Sequence, residues 1–464
     1  MGPVHVPLWL FLLLLLLAGA FLWERLLLPG VRVVLRRRMR ALAEQLSQRW
    51  AVRLQPFKLA KKRAVEQALI HDPEVLRCAE AYRREHQLSW PEVEDLLASY
   101  AREIVPTFNV YLYYRLGHAA ARRLLRALYL VRVGFSDKRA LAAVDPEASV
   151  VFLMNHRSNA DYLLVAYLVS RHAAISYAVG EWAKVWPLDT FIRRLGGYFV
   201  RRSTADPLYR KVLERYVQMA AEAGIAQGVF PEGRLTRDGA LQPPKLGLLH
   251  YLLKRFDPQG ERDLVFVPVG INYDRVLEDR THAFAESSGR SGLSWAGVRQ
   301  ASAWALRIGL RALAGRAQRF GYAAARFGVP VGAKQLLAEV GDLRGCDGDA
   351  YRAKVAQLGE RLWERVAATV PAVPFPILCQ ALLACGGRGE KSRVQKLFAQ
   401  LAGFYRARGL LLPELEPGGL YRHAVQLGLT RKLLGEEGET LAVAPGQEPL
   451  LRFYANSLAH HRAL

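Results

Sequence analysis

Two side chains able to do acid–base chemistry, His156 and Asp161, lie in the short polar stretch 155–161. On one continuous helix, residues five apart diverge by roughly 140°, so the two side chains could not share a proton. Apolar runs precede and follow the stretch, at residues 150–154 and 162–169. The pattern predicts a strand, a tight polar turn and a helix, with the pair brought together by the turn.

The residues between the pair favour this arrangement. If Ser158 or Asn159 caps the helix, His156 lies in the turn and Asp161 in the first helical turn, within reach of the imidazole. A carboxylate there keeps one ring nitrogen protonated and raises the basicity of the other. The expected chemistry is removal of a proton from a hydroxyl group by His156 acting as a general base.

Three further short blocks follow in order along the chain. Arg201 and Arg202 come after a Gly-Gly pair and an aromatic–aliphatic run. This places them at the end of a predicted strand, where a guanidinium group can bind phosphate in a bidentate manner. Glu232 and Gly233 lie in a predicted turn, and the glycine permits an uncommon backbone conformation or the close approach of a ligand. The last block, residues 267–270, is predicted to be a buried strand with an edge or terminal proline.

The four blocks together resemble the glycerolipid acyltransferase family. The sequence Asn-His-Arg-Ser at 155–158, running into Asp-Tyr-Leu-Leu at 161–164, is most similar to the glycerol-3-phosphate acyltransferase branch, and the resemblance covers residues 153–273. It implies a membrane-bound enzyme that moves a fatty acyl group from an acyl thioester to the sn-1 hydroxyl of glycerol 3-phosphate. The implied donor is acyl-CoA or acyl-carrier protein.

The resemblance also implies the catalytic roles. His156 would take the proton from the acceptor hydroxyl and pass it to the leaving thiolate, while Asp161 would orient the imidazole and stabilise its transient positive charge. Direct transfer without an acyl-enzyme is expected, because no Ser or Cys stands where the family would place a nucleophile. Neither a cofactor nor a metal is expected.

The acceptor site is assigned by the same resemblance. Arg202, or Arg201 and Arg202 together, would bind the phosphate, the alternative being that one of the two is solvated or has a structural partner. Glu232 would accept hydrogen bonds from the glycerol hydroxyls, and Gly233 would form the acceptor-binding turn.

Beyond Gly233 the chain departs from the family pattern. The family commonly has an Arg-Ser-Arg type run two residues after the glycine, whereas here Leu235 takes the place of the first arginine. Arg237 keeps its place and would contact the phosphate, and Arg234 is a displaced substitute. Lys245, in a Pro-Pro-Lys-Leu-Gly stretch that also resembles this branch, would bind phosphate or coenzyme A.

Composition favours anionic partners. The 464 residues carry a formal net charge of +23, which suits phosphorylated substrates, coenzyme A, an acidic carrier protein and anionic membrane lipids. The sequence has neither a zinc finger nor an RNA-binding aromatic signature, so nucleic acid is not an expected partner. The four cysteines have no metal-binding spacing and indicate a reducing environment rather than a disulfide framework.

An apolar, uncharged run at residues 6–23 is long enough to cross a bilayer and predicts a transmembrane anchor over 1–30. Residues 18–20 also have the small side chains of a signal-peptide cleavage site. Arginines follow the run and none precedes it. The positive-inside rule therefore favours an uncleaved single-pass anchor, with the catalytic domain on the cytoplasmic side of the membrane.

The remaining chain divides into three predicted units. Residues 31–135 are predicted to be a helical region, and 136–285 an α/β catalytic domain of the acyltransferase type, because short apolar runs alternate there with helical patterns. Residues 286–464 are predicted to be a helical C-terminal region. Within it, 287–338 combines arginines with aromatic residues and is predicted to face an anionic membrane, the alternative being an ordinary solvated helix face.

Three other functions share parts of this pattern. Acylation of lysophosphatidic acid or another lysolipid would use the same chemistry. The His–Asp pair together with Glu232 could hold a metal for phosphoester hydrolysis, and a non-catalytic membrane scaffold is the third alternative. Metal content separates the hydrolase from an acyltransferase, and acceptor-dependent thiol release separates the scaffold.

Overall fold

The computed structural model describes residues 62–108, 118–169, 175–180, 188–201, 204–280, 319–346 and 348–463. The predicted anchor at 1–30, Arg202, and residues 287–318 of the basic segment lie outside these ranges.

The first described elements are helices, and capping residues mark the starts of two of them. They are α1 (Lys62–Ile70), α2 (Pro73–His86), α3 (Trp90–Ile104) and α4 (His118–Leu128). Asp72 caps α2 by accepting hydrogen bonds from the backbone N–H groups of Glu74 and Val75. Ser89 and Glu92 form a capping box at the start of α3. Residues 62–104 are therefore largely helical.

A sheet of eight strands follows in the described part of the chain, interleaved with helices. The elements are β1 (Leu130–Phe135), α5 (Lys138–Ala142), β2 (Ser149–Met154), α6 (Ala160–Val169), β3 (Ser176–Gly180), α7 (Leu188–Arg194), β4 (Gly197–Val200), α8 (Pro207–Glu222), β5 (Gln227–Val229), α9 (Gly247–Leu253), β6 (Leu264–Tyr273), β7 (Tyr322–Phe327) and β8 (Val331–Gly332). The strand order is β1-β7-β6-β2-β5-β3-β4, with β8 paired to β6. The predicted α/β class is therefore confirmed.

The strands β6, β2, β5, β3 and β4 run parallel to one another, whereas β7 and β8 pair antiparallel with β6. The carboxyl ends of parallel strands meet at one edge of a sheet, which is where such folds bind ligands. The turns after β2 and β5 and the end of β6 therefore lie side by side. All ten residues of β6 are buried, as expected for a strand covered on both faces.

Alternate side chains of β2 enter two different cores. Val151 and Leu153 pack in one cluster, with α1 to α3, α8 and α9. Phe152 and Met154 pack in the other, with α6 and much of the C-terminal region. The two-residue period of a strand thus connects the N-terminal helices and the C-terminal region through a single sheet.

The C-terminal region adds helices and a small sheet. Its elements are α10 (Ala333–Val340), α11 (Gly348–Thr369), α12 (Pro374–Ala384), β9 (Arg388–Glu390), α13 (Lys391–Ala407), α14 (Pro417–Thr430), β10 (Leu434–Glu437), β11 (Thr440–Val443), α15 (Glu448–Asn456) and α16 (His460–Ala463). The small antiparallel sheet has the order β10-β11-β9. Among the described helices none alone has the length and apolar character to span a bilayer; α11 and α12 do so only jointly, across a 91° bend.

The central sheet extends beyond the predicted limits of the catalytic domain. β1 lies inside the range predicted to be a helical region, and β7 inside the range predicted to be a helical C-terminal region. The β7 sequence, Tyr-Ala-Ala-Ala-Arg-Phe, favours a helix by propensity alone. Its position between β1 and β6 overrides that preference.

The described part of the basic segment also differs from its prediction. Phe320, Tyr322 and Phe327 are buried, at 3–4% exposure. Their rings pack in the cores of the protein and are not available to a membrane surface. The prediction of a membrane-facing segment therefore narrows to residues 287–318, which lie outside the described chain.

Candidate active site

The turn after β2 is fixed by the side chain of Asn155. Its Nδ2 donates to the carbonyl of Ile271 at 2.9 Å, and its Oδ1 accepts from the backbone N–H of Ile271 at 2.7 Å. Backbone pairing of β2 with β6 ends where Met154 lies opposite Val269. The amide therefore takes the place of the next backbone pair and satisfies both backbone groups of Ile271 as the chain turns.

The predicted His–Asp pair is formed. The Nδ1 atom of His156 lies 3.0 Å from Oδ2 of Asp161, which also accepts from the backbone N–H groups of Arg157 at 2.7 Å and Ser158 at 3.0 Å. The hydroxyl of Tyr273 donates to Oδ1 at 2.7 Å. Because the carboxylate accepts from Nδ1–H, the other ring nitrogen, Nε2, is left to accept a proton.

Aromatic rings enclose the imidazole. The Phe230 ring centroid lies 4.3 Å from that of His156, and the Tyr162 centroid 5.4 Å. His156 is 1% exposed. These rings restrict rotation of the imidazole and lower the polarity around it, which strengthens its interaction with Asp161.

Glu232 connects the catalytic turn to the loop after β5. Its Oε1 accepts from the backbone N–H of His156 at 2.8 Å, and its Oε2 from that of Gln242 at 3.1 Å. Burial raises the pKa of this carboxyl to about 7, although the two hydrogen bonds and the nearby Arg157 charge act in the opposite direction. Both oxygens hold backbone, so the observed role of Glu232 is to join the two loops.

Two further contacts join the same loops. The backbone N–H of Thr236 donates to the carbonyl of His156 at 3.3 Å, and Nη1 of Arg157 donates to the carbonyl of Gly239. Arg157 is fully buried, and desolvation lowers the pKa of its guanidinium. This arginine was not among the predicted site residues, because adjacency to His156 gives no sign of which way its side chain points.

The glycine turn has the expected conformation. Gly233 has φ +68°, and a Cβ atom there would lie 3.1 Å from Cδ of Lys245. The side chain of Lys245 therefore passes directly beside the turn. Arg234, Arg237 and Lys245 are exposed, and within the described residues their side chains form no hydrogen bond or ion pair. These three cations are free to meet an anion.

Arg201 has a structural partner. Its guanidinium forms a two-pronged ion pair with Glu103 of α3, at 3.0 Å and 2.7 Å, and lies over the rings of Tyr100 and Tyr209. The Glu103 carboxylate raises the pKa of the guanidinium. The structure thus uses Arg201 to attach α3 to the end of β4, while the second candidate of the pair, Arg202, lies outside the described residues.

Glu278, which follows the end of β6, accepts hydrogen bonds from the catalytic turn. Its Oε2 accepts from the Ser158 hydroxyl at 2.8 Å and its Oε1 from the backbone N–H of Asn159 at 3.3 Å. Burial raises the pKa of this carboxyl to about 7. No local pattern pointed to Glu278, which follows the last of the four blocks and is separated from Ser158 by 120 residues. In the described chain no group of His, Cys, Asp and Glu side chains could hold a metal ion.

Comparison with known families gives two matches. Residues 132–272 match the model described as Acyltransferase, and residues 306–464 the model described as Glycerol-3-phosphate acyltransferase C-terminal region. The first contains the strands and turns of the candidate site. The second contains β7 and the helices that pack against the same sheet.

Similar proteins carry a consistent name. A glycerol-3-phosphate acyltransferase of Pseudomonas fluorescens is 29% identical over 68% of this chain and 38% of its own length. One of Ectopseudomonas mendocina is 26% identical over 88% of this chain and 50% of its own. This chain therefore spans half or less of these relatives. A solved structure, the 1-acyl-sn-glycerophosphate (LPA) acyltransferase PlsC of Thermotoga maritima, aligns with 66% of this chain and 97% of its own length, at 15% sequence identity. The TM-score of this alignment is 0.32, which is too low to establish a shared fold. The two family matches and the shared name of its relatives thus make this chain similar to glycerol-3-phosphate acyltransferases, over residues 132–272 and 306–464.

Proposed function

We propose that this protein transfers a fatty acyl group from an acyl thioester to the sn-1 hydroxyl of glycerol 3-phosphate. The observation that carries the proposal is the contact of His156 Nδ1 with Asp161 at 3.0 Å, at the carboxyl edge of a parallel sheet. That geometry leaves Nε2 of the imidazole as the base. The name shared by the relatives supports glycerol 3-phosphate as the acceptor.

The reaction follows from the pair without a covalent enzyme intermediate. Nε2 of His156 accepts the hydroxyl proton while the acceptor oxygen attacks the thioester carbonyl carbon. The tetrahedral intermediate collapses, the C–S bond breaks, and the imidazolium returns the proton to the leaving thiolate. Asp161 stabilises the imidazolium between these two steps. The products are an ester and a free thiol, from either coenzyme A or acyl-carrier protein.

The acceptor phosphate would bind at the exposed cations of the loop after β5. Arg234, Arg237 and Lys245 are exposed and unpaired within the described chain, and Lys245 lies against the Gly233 turn. The loop that carries them is joined to the catalytic turn through Glu232. A phosphate bound there would place the glycerol hydroxyls near the imidazole, and Arg202 is proposed as a further ligand from its place in the family pattern.

We also propose that the protein is held at a membrane by a single-pass anchor within residues 1–30, with the catalytic domain on the cytoplasmic side. The apolar run at 6–23 and the arginines that follow it support this orientation. The product of the proposed reaction carries an acyl chain, so its release into a bilayer would not require exposure of that chain to water.

An acceptor panel tests the proposed reaction. The purified full chain would be supplied with one labelled acyl-CoA and with glycerol 3-phosphate, 1-acyl-glycerol 3-phosphate or glycerol, with and without chelator. We expect thiol release that requires glycerol 3-phosphate, yields labelled 1-acyl-glycerol 3-phosphate and continues in chelator. Faster reaction with the lysolipid would support the lysolipid alternative, and activity lost in chelator would support the hydrolase. Thiol release at the same rate with and without each acceptor would refute acyl transfer.

A further inference from the structure

The chain from Ile271 to Asp279 lies between the catalytic turn and the C-terminal region. Along the end of β6, successive side chains point to opposite faces. Tyr273 points to the turn and donates to Asp161. Asn272 points the other way, and its Nδ2 donates to the carbonyl of Pro371 at 3.0 Å. One segment therefore contacts both the catalytic pair and the C-terminal region.

The alternation continues beyond the strand. Asp274 is fully buried and accepts from the backbone N–H of Phe375 at 2.8 Å, while its other oxygen lies 3.1 Å from Nε2 of His423. The backbone N–H of Val276 donates to the hydroxyl of Tyr454 at 3.1 Å. Helices α12 and α14 thus both hold this segment at Asp274, and α15 holds it at Val276.

A buried ion pair forms a further attachment at the segment's end. Arg431 donates to the Asp279 carboxylate, which also accepts from the Tyr454 hydroxyl. The two charged side chains are 5% and 6% exposed. The Arg431 guanidinium also lies 5.6 Å from the ring centroid of Phe375. A buried charge held by several partners has one well-defined position.

Asp279 directly follows Glu278, whose carboxylate accepts from Ser158 and Asn159 in the catalytic turn. Because the two residues are joined by one peptide bond, the contacts that hold Asp279 restrict where the backbone of Glu278 can lie. We propose that Arg431 of the C-terminal region is a positioning residue for the catalytic pair, acting through Asp279, Glu278 and Tyr273 on the turn that holds His156 and Asp161. This inference rests on the proposed acyl transfer for its effect on rate, but its structural part can be measured without activity.

Contacts made by helix α15 also connect the C-terminal region to the candidate site. Helix α15 places Tyr454 on Asp279, and the neighbouring Phe453 ring lies 5.1 Å from the guanidinium of Arg157 in the turn. Nδ2 of Asn456, on the same helix, donates to the carbonyl of Asp238 in the acceptor loop at 2.9 Å. The C-terminal region thus braces both loops of the candidate site, and Arg431 holds the end of the connecting segment.

The test compares Arg431→Met with a matched control in the full chain. Arg215 forms a similarly buried ion pair with Asp72, at 2.8 Å and 6% and 10% exposure, between α8 and α2. Arg215→Met therefore removes a comparable charge pair without touching the segment. We expect Arg431→Met to lower kcat by roughly 10- to 100-fold, the usual loss for a residue that orients a catalytic group, with little change in either Michaelis constant. Arg431→Lys should recover part of the loss, and Arg215→Met should leave kcat unchanged.

An uncompensated Asp279 could prevent folding of Arg431→Met, so the double variant Arg431→Met/Asp279→Asn is included, since it leaves no unpaired charge. Hydrogen exchange supplies a readout that needs no activity. The backbone N–H groups of residues 156–158 bond to Glu232 and Asp161, and we expect the peptide covering 155–161 to exchange faster in the Arg431 variants and not in Arg215→Met.

The outcomes separate the two proposals. If wild type transfers acyl groups but the folded Arg431 variants keep both kcat and the protection of 155–161, the positioning role is refuted. If kcat falls equally in Arg215→Met, the loss is general destabilisation, which also refutes it. If wild type shows no acyl transfer while protection of 155–161 falls in the Arg431 variants alone, the proposed function fails and the structural coupling stands.

Discussion

Asp161 accepts hydrogen bonds on both of its oxygens, so its orientation toward His156 is set by the protein itself. Three of the donors come from the turn that contains the pair, and the fourth is Tyr273 on β6. A carboxylate held in this way presents one oxygen to Nδ1 and keeps Nε2 directed away from it. The general-base role requires that arrangement.

Replacing His156 by Ala should remove the base. We expect kcat to fall by about 10² to 10⁴-fold with the fold unchanged, and Asp161→Asn to be severe because the imidazolium loses its stabilising charge. The matched control is His86→Ala, since His86 is an exposed histidine on α2. Rates would be measured by acceptor-dependent thiol release, and folding by circular dichroism. Near-normal turnover in His156→Ala would overturn the catalytic assignment.

Glu232 should make acceptor binding depend on pH. Burial raises the pKa of its carboxyl to about 7, so it takes up a proton as the pH falls through that value. Above pH 7 both oxygens accept from the backbone of His156 and Gln242. Below it, one oxygen carries a hydrogen and faces an N–H donor, which should loosen the acceptor loop. The favourable contact is therefore present at high pH and lost at low pH.

We expect the Michaelis constant for glycerol 3-phosphate to rise below pH 7 in wild type. In Glu232→Gln, whose amide resembles the protonated acid at every pH, this part of the dependence should be absent. A hydrogen bond to a charged group contributes about 1.5 to 3 kcal/mol, so at pH 8 the variant's constant should exceed that of wild type by roughly tenfold or more. Parallel pH profiles in the two proteins would exclude Glu232 as the cause, because ionisation of the substrate phosphate affects both equally.

The sequence predicted the catalytic pair because both partners lie within one turn. Tyr273, which is 112 residues from Asp161, could not be found in this way, since no local pattern connects two distant segments. Arg201 shows the opposite difficulty. Its position after a predicted strand suited phosphate binding, but its partner Glu103 lies 98 residues earlier and satisfies the same guanidinium.

At the scale of elements, Arg201 attaches α3 to the end of β4. Arg201→Ala should therefore lower the free energy of unfolding by about 1 kcal/mol, because it removes a partly exposed ion pair together with the ring contacts. It should leave the Michaelis constant for the acceptor unchanged. Arg237→Ala should raise that constant by roughly 10- to 150-fold, from the loss of 1.5 to 3 kcal/mol of charge-assisted contact. Urea unfolding and steady-state kinetics on both variants would decide. A large kinetic effect in Arg201→Ala would restore it as a phosphate ligand.

The acceptor loop meets α15 at a glycine that has no room for a side chain. Gly239 has φ +83° and a Cβ there would lie 1.7 Å from the carbonyl oxygen of Phe453. Gly446 has a similar φ of +74° but open space around it. Gly446→Ala should cost about 1 to 2 kcal/mol of unfolding free energy from backbone strain alone. Gly239→Ala should cost about 1 to 3 kcal/mol more, because the backbone of α15 must move.

The second effect of Gly239→Ala should be kinetic. The Gly239 carbonyl accepts from Arg157 in the catalytic turn, so displacement of the loop should raise the acceptor Michaelis constant, which Gly446→Ala should not change. Urea titration gives the stabilities of both variants, and acceptor titration gives the constants. Equal stability losses in the two variants would mean that the loop adapts to the added methyl group without disturbing α15.

Alternation of short apolar runs and helices sufficed to predict an α/β layer, because β2 and β6 are continuous apolar strands. It did not predict β7, whose three alanines favour a helix. The identity of β7 as a strand depends on β1 and β6, which pair with it on either side. Local residue preferences carry no information about such neighbours.

At the scale of the whole molecule, the positive charge is unevenly placed. Residues 287–318 contain five arginines, two tryptophans and no acidic residue. Phe320, which follows this stretch, is buried in the protein core and is not available to lipid, so the stretch itself is the part of the basic segment from which attraction to lipid is expected. Each arginine near an anionic surface contributes about 1 kcal/mol, decaying over a Debye length of about 8 to 10 Å.

Deletion of residues 1–24 should therefore leave a protein that still binds anionic vesicles, reversibly and in a salt-sensitive way. In the proposed arrangement the apolar run would supply the irreversible part of membrane attachment, and the arginines of 287–318 would supply the rest. The measurement is sedimentation of the truncated protein with anionic and with neutral vesicles, at low and high salt. In the matched control, the five arginines of 287–318 are replaced by glutamine in the same truncated protein, and binding to anionic vesicles should be lost. Equal binding to anionic and neutral vesicles at low and high salt, or no binding at all, would show that this stretch is a solvated surface with no attraction to the bilayer.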